Sequence, residues 1–147
     1  MRVLILVLMA LSLGLVTAAV AEEAADEKAA ITQAALDYIE GWFEGNAERM
    51  DRALHPQLAK RKVVQNPQTG EENFVHLTKM QMVEATRSGG GKSTPADQRA
   101  IKVVILDIYR DIACVRVDSV KYIDYVHLVK SGGTWKIVNV LWTDNVK

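Results

Sequence analysis

Cysteine is nearly absent from the chain. Cys114 stands alone, so no intrachain disulfide forms and no cysteine cluster holds zinc. The three histidines, His55, His76 and His127, are scattered and give no metal-ligand spacing, so no metal and no cofactor are expected. Three prolines exclude a proline-rich or collagen-like chain. Charge of one sign is also missing: 18 basic and 18 acidic residues give a formal net charge of zero. A nucleic-acid binder usually carries a basic excess, so none is expected as a partner. No nucleophile-elbow sequence and no phosphate-cradling glycine spacing occurs. What remains is 147 residues, 49% of them apolar, enough for one domain with its own core.

Residues 1–21 read as a secretory signal peptide. Arg2 is followed by a nearly unbroken apolar run from Val3 to Val16, then by Ala19-Val20-Ala21, an A-x-A cleavage pattern. The run is short for a membrane span of ~20 residues. Acidic residues begin abruptly at Glu22. The expected mature domain is residues 22–147, periplasmic or secreted, with no membrane contact after cleavage.

Along that domain, Ile31, Ala35, Tyr38, Ile39 and Trp42 recur at spacings of three and four, which predicts a helix over 26–43. Gly45 is its stop, and Asn46 is the N-cap of a second helix over 47–54, ended by His55-Pro56. A strand over 59–65, a turn at 66–70 and a short strand over 74–77 follow. Thr78 caps a third helix over 79–87. The glycines at 89–91 read as a mobile surface loop. Strands are predicted over 101–109, 112–118, 123–130 and 135–143. The last two flank Gly132-Gly133, a two-residue hairpin turn. Helices segregated from a strand meander indicate an α+β domain.

The hairpin assigns faces. With Lys130 opposite Trp135, alternation places Asp124, Val126, Leu128, Trp135, Ile137, Asn139 and Leu141 on one face. The other carries Ile123, Tyr125, His127, Val129, Lys136, Val138, Val140 and Trp142. A bulge would shift this register by one. The first face has few polar groups among large apolar ones, as a small-molecule site does. Tyr38 and Trp42, four apart on the first helix, supply aromatic walls or ordinary core. Asp124 is a candidate general base or acid, or else a carboxylate paired with a backbone N–H or Lys121. Asp118 is a second acid only if its strand parity cooperates. His55 and His76 sit where the chain enters the domain and line its mouth or lie in exposed loops. Cys114 reads as a small buried hydrophobe rather than a nucleophile.

The segments DYIEGWFEGNAERMDRALHPQLAKR (37–61) and DYVHLVKSGGTWKIVNVLW (124–142) resemble the putative lumazine-binding family of the nuclear transport factor 2-like superfamily. The resemblance covers nearly all of the mature chain. It implies a cone: three helices packed in a strongly bent antiparallel sheet that encloses a pocket. It implies a small hydrophobic or heterocyclic ligand, pterin- or lumazine-like; the face assignment, the α-helical spacing and the chain entry point offer Tyr38, Trp42, His55, Asp124, Trp135 and Asn139 as its pocket. Because relatives include isomerases and dehydratases as well as binding modules, two alternatives stay open. One is proton transfer with Asp124 as base and Tyr38 or His55 as donor. The other is a ligand-free interaction module. The second hairpin face is too apolar for water, which predicts a homodimer through Tyr125, His127, Val138, Val140 and Trp142.

Overall fold

The computed structural model describes residues 2–146, with side chains from residue 22 onward. The expected signal sequence and its cleavage motif lie outside the residues with described side chains. Two compact units are distinguished, residues 1–30 and residues 31–147. The first is helical throughout its described part and belongs to α1 (Arg2–Glu44). The second contains the remainder of α1 and all the other elements.

In the second unit the order is α2 (Ala47–Ala53), β1 (Leu54–Gln65), β2 (Glu72–Leu77), α3 (Lys79–Arg87), a short 3-10 turn, β3 (Lys102–Tyr109), β4 (Ile112–Asp118), β5 (Tyr122–Ser131) and β6 (Thr134–Asp144). Local chemistry accounts for most boundaries. Gly45 takes φ +68°, a left-handed conformation that ends α1 at little cost. The Asn46 side chain accepts the Arg49 N–H at 3.0 Å and starts α2. Thr78 and Gln81 form a reciprocal capping box at the start of α3. Gly132 and Gly133, at φ +58° and +78°, make the β5–β6 turn in the conformation that suits strand twist.

The six strands form one mixed sheet in the order β2-β1-β6-β5-β4-β3. Strands β3 to β6 are the predicted antiparallel meander. The expected cone, a strongly bent and wholly antiparallel sheet, is corrected on two counts. β1 runs parallel to β6, and the sheet is neither strongly curled nor closed. Among the described residues β2 pairs only with β1, and β3 only with β4, so both are edges. β1 also begins earlier than expected, taking in His55 and Pro56. From Leu54 to Ala59 β1 advances five positions while β6, from Ile137 to Asn139, advances only two. That irregularity accommodates a proline, which cannot donate to a ladder.

The core lies between one sheet face and the helices. Ile31, Ala35, Tyr38, Ile39 and Phe43 of α1 meet Val115, Val117, Val126, Leu128, Ile137 and Val140 of the sheet within one buried cluster. Burying each large aliphatic or Phe side chain contributes roughly 1.5–3 kcal/mol.

The hairpin register holds near the turn and then fails. Lys130 pairs with Trp135 and Leu128 with Ile137 as expected. Val138 is then an extra residue, and His127 pairs with Asn139, Val126 with Val140 and Asp124 with Trp142. Beyond this bulge every β6 side chain is on the face opposite to the one predicted. Val140 is fully buried and Trp142 packs on the core, so neither belongs to the outer face. Asn139 goes outward, and Leu141 is 52% exposed.

Candidate functional site

Three buried polar side chains meet inside the second unit. Asp124 of β5 is 1% exposed, Tyr38 of α1 3% and Lys60 of β1 5%. The Tyr38 hydroxyl donates to Asp124 Oδ1 at 2.8 Å. The Lys60 ammonium donates to the same oxygen at 2.8 Å and to Tyr38 Oη at 2.6 Å. Each partner answers a need of the others. A buried carboxylate without a counter-ion would be very costly, and so would a lone ammonium. The Lys60 Nζ also lies 4.5 Å from the Trp142 ring centroid and 5.3 Å from that of Tyr38. Both rings present negative π faces to the cation.

Burial pushes the Lys60 ammonium below its ordinary value, against the opposing pull of Asp124. Burial, reinforced by the Asp124 charge, pushes the Tyr38 phenol well above its ordinary value, so it stays a proton donor.

Tyr38 and Lys60 of the triad border a cavity of about 90 Å³, lined also by Ile39, Trp42, Leu77, Met82, Tyr122 and Trp142. Its walls are almost wholly aromatic and aliphatic. Tyr122 and Trp142 meet edge to face at 5.3 Å. The volume suits a few waters and is below the ~300–1,000 Å³ of drug-sized ligand pockets. The indole N–H groups of Trp42 and Trp142 are buried and have no hydrogen-bond partner among the described residues.

Trp42 is held by the glycine segment that reads as a loose loop. A Cβ on Gly90 would lie 2.3 Å from the Trp42 ring, and one on Gly91 2.6 Å from the Trp42 carbonyl oxygen. The segment is a packed cradle, and Gly91 is buried. Glycine serves here to admit an indole.

Of the residues expected to surround a ligand, Tyr38 and Trp42 line the cavity, and Asp124 sits behind Tyr38 and Lys60. His55 is not among the lining residues; its Nδ1 accepts the Gln57 N–H at 3.1 Å within β1. Trp135 is buried in the core near the hairpin turn. Asn139, turned outward by the bulge, accepts from Arg61 at 3.0 Å and lies 3.2 Å from His127. Asp118 takes a hydrogen bond from Arg116 at 2.6 Å on the outer face, and His76 is exposed beside Phe74. Cys114 is half-buried on the outer face, opposite His127. Asp124 does have a basic partner, but it is Lys60, not Lys121, whose ammonium reaches Ser93 at 3.4 Å.

Lys60 escaped the sequence reading because Lys60, Arg61 and Lys62 put basic residues on both faces of β1. Parity with Leu58, which is buried, was the available signal. Among the described residues no group of His, Cys, Asp and Glu is arranged to hold a metal ion.

Comparison with known proteins agrees with this architecture. A structure of an NTF-2 like protein of unknown function from Silicibacter pomeroyi matches with a TM-score of 0.63 at 15% identity, covering 83% of this chain and 98% of its own. An NTF2-like protein of unknown function from Methylobacillus flagellatus matches with a TM-score of 0.59 at 22% identity, covering 82% and 94%. A ketosteroid isomerase-like protein from Erwinia carotovora atroseptica matches with a TM-score of 0.52 at 14% identity, covering 81% and 96%. At these identities the likeness concerns the fold. No curated protein matches. The family model described as "Putative lumazine-binding" matches residues 26–143. The chain therefore belongs to the putative lumazine-binding family, within the NTF2-like, ketosteroid-isomerase-like superfamily.

Proposed function

We propose that this chain is an exported small-molecule-binding protein whose ligand is a flat heterocycle of the pterin or lumazine kind. The observation that carries this reading is the cavity wall itself: indole, phenol and aliphatic side chains around one polar end, Lys60 with Tyr38. A flat ring stacks on such walls with little loss of its own freedom. The cavity must widen to admit a bicyclic ring, and Met82, unbranched and flexible, is the wall best able to move. Export rests on the signal features of residues 1–21.

Proton-transfer chemistry has less in its favour. Asp124 Oδ1 already takes hydrogens from both Tyr38 and Lys60, and the described cavity lining includes no carboxylate or histidine. A base must reach the proton it abstracts.

The same proposal includes a homodimer formed through the outer sheet face. Tyr125 and Leu141, paired across β5 and β6, are 45% and 52% exposed, and Val63, Phe74, Ile112 and Tyr109 extend the apolar surface. Such a patch is more apolar than a monomer usually shows to water. His127 and Val138 remain within it; Val140 and Trp142 do not.

Native mass spectrometry of protein purified from its own host tests the reading. A retained heterocycle, and quenching of tryptophan fluorescence on adding lumazine, are the expected results. Failure of pterins, flavins and lumazine alike to bind would overturn it.

A further inference from the structure

The polar end of the cavity is closed on itself. The Lys60 ammonium has three hydrogens and three neighbours: Asp124 Oδ1 at 2.8 Å, Tyr38 Oη at 2.6 Å and the Trp142 ring, whose centroid is 4.5 Å away. The Tyr38 hydrogen goes to the same carboxylate oxygen. Trp42 turns its Cδ1 edge to the glycine segment, since a Cβ on Gly91 would lie 2.7 Å from that carbon. The wall therefore exposes almost no polar atom, and an occupant meets carbon from Ile39, Leu77, Met82 and the aromatic rings. A ring nitrogen or carbonyl oxygen lodged there would leave water and find nothing to bond. A methyl group lodged there would instead strengthen binding roughly fourfold. At about 90 Å³ the cavity is smaller than the ~150 Å³ apolar cavity that holds benzene, so as it stands it takes one edge of a ring system. It is partly open, and its walls Trp42, Leu77 and Trp142 are only partly buried, so the rest of such a ligand reaches water.

We infer that the cavity receives the hydrocarbon edge of its ligand, methyl groups foremost, while the ligand's heteroatoms stay outside in contact with water. The inference rests on the small-molecule-binding reading above and adds which end of the flat heterocycle is buried. It singles out ring systems with one carbocyclic, alkylated edge and the nitrogens and oxygens on the opposite edge. A heterocycle with polar atoms on every edge would bring an unpaired polar atom into the cavity and bind more weakly.

Two isomers separate the ends. In 6,7-dimethylquinoxaline the methyl groups lie on the benzo edge, away from both nitrogens; in 2,3-dimethylquinoxaline they flank the nitrogens. Each isomer, and lumazine beside them, is titrated into the purified protein and followed by quenching of tryptophan fluorescence. The 6,7 isomer should bind roughly tenfold more tightly than the 2,3 isomer, because only it can bury two methyl groups and no nitrogen. Its methyl protons should show nuclear Overhauser contacts to the Met82 methyl and to the Trp42 and Trp142 rings, and none to Trp135, which does not line the cavity. Met82→Phe enlarges a wall side chain and should abolish the preference between isomers. Should that variant fail to fold, the Overhauser contacts of the wild type decide. Equal or tighter binding of the 2,3 isomer, contacts to Trp135 instead, or a preference that survives in Met82→Phe would overturn the inference. Lumazine binding with neither quinoxaline binding would also overturn it and leave the binding reading intact. No binding by quinoxalines, lumazine, pterins or flavins would overturn both.

Discussion

The two faces of the sheet invert the usual arrangement of polar and apolar groups. The inner face buries an ion pair, Lys60 with Asp124, among hydrocarbon side chains. The outer face leaves Tyr125, Leu141, Ile112 and Phe74 largely open to water. A buried ion pair is weak evidence of stability, since apolar residues of like size often do as well. An exposed apolar patch is likewise a poor way to stabilise a monomer. Each departure costs the isolated fold something. The contrast also shows how sharply a single bulge divides neighbours. Val140 and Leu141 are adjacent in sequence and chemically alike, yet one is fully buried and the other half open.

Substitution at that boundary should produce the largest difference. Val140→Glu places an unpaired carboxylate in the core and should cost more than about 4 kcal/mol, enough to unfold a marginal domain. Urea denaturation followed by circular dichroism measures it, and a folded, stable Val140→Glu would mean that the bulge at Val138 is misplaced.

Lys60→Met comes next. It strands Asp124 without a counter-ion and should cost about 3–5 kcal/mol, whereas Lys60→Met/Asp124→Leu should regain most of that loss. If the single and double variants are equally unstable, the pair is not the coupled unit described above.

A smaller effect is expected from the ion-pair cluster beside α2, where Asp37 is buried yet meets arginines that reach solvent. Burial works to raise the Asp37 carboxyl, but hydrogen bonds from Arg49, Arg52 and Gln33 outweigh it and hold the group below its ordinary 3.8. A carboxyl lowered in the folded state contributes stability above its unfolded value and loses it as pH falls through the folded one. Asp37→Asn should therefore cost about 1 kcal/mol at pH 7 and less as the pH falls below about 4. Thermal melts at stepped pH would show the curves of wild type and variant converging. Curves that stay parallel would deny Asp37 this role.

The smallest change in monomer stability should come from Leu141→Glu, within roughly 0.5 kcal/mol in dilute protein. Its effect should fall on assembly instead. Light scattering of the wild type should give twice the mature chain mass, and Leu141→Glu should give one chain mass. A wild type that is monomeric at micromolar concentration would refute the dimer.

Helix caps, turns and the alternation of short strands were legible residue by residue. Asn46, Thr78 and the Gly132-Gly133 turn act through atoms a few positions away, so their partners are in view in the sequence. The α1 stripe was legible for the same reason, since Tyr38 and Ile39 repeat at helical spacing. Family membership, too, followed from segments of continuous sequence.

What the chain could not declare locally was every feature set by pairing across long separations. The extra residue at Val138 leaves no mark in a run of Ile, Val and Asn, because a bulge depends on what the neighbouring strands require. That single residue moved Asn139 out and Trp142 in, and so exchanged part of the expected site with part of the expected interface. Likewise, β1 carries Lys60, Arg61 and Lys62 in a row, and only the parallel docking of β1 beside β6 decides which of them is buried. Lys60 and Asp124 lie 64 positions apart and meet only when the sheet forms. Sequence by itself determined the helices, the hairpin turn and the family. Tertiary structure decided which side chains share a face, because strand periodicity of two converts a one-residue shift into a complete exchange of faces.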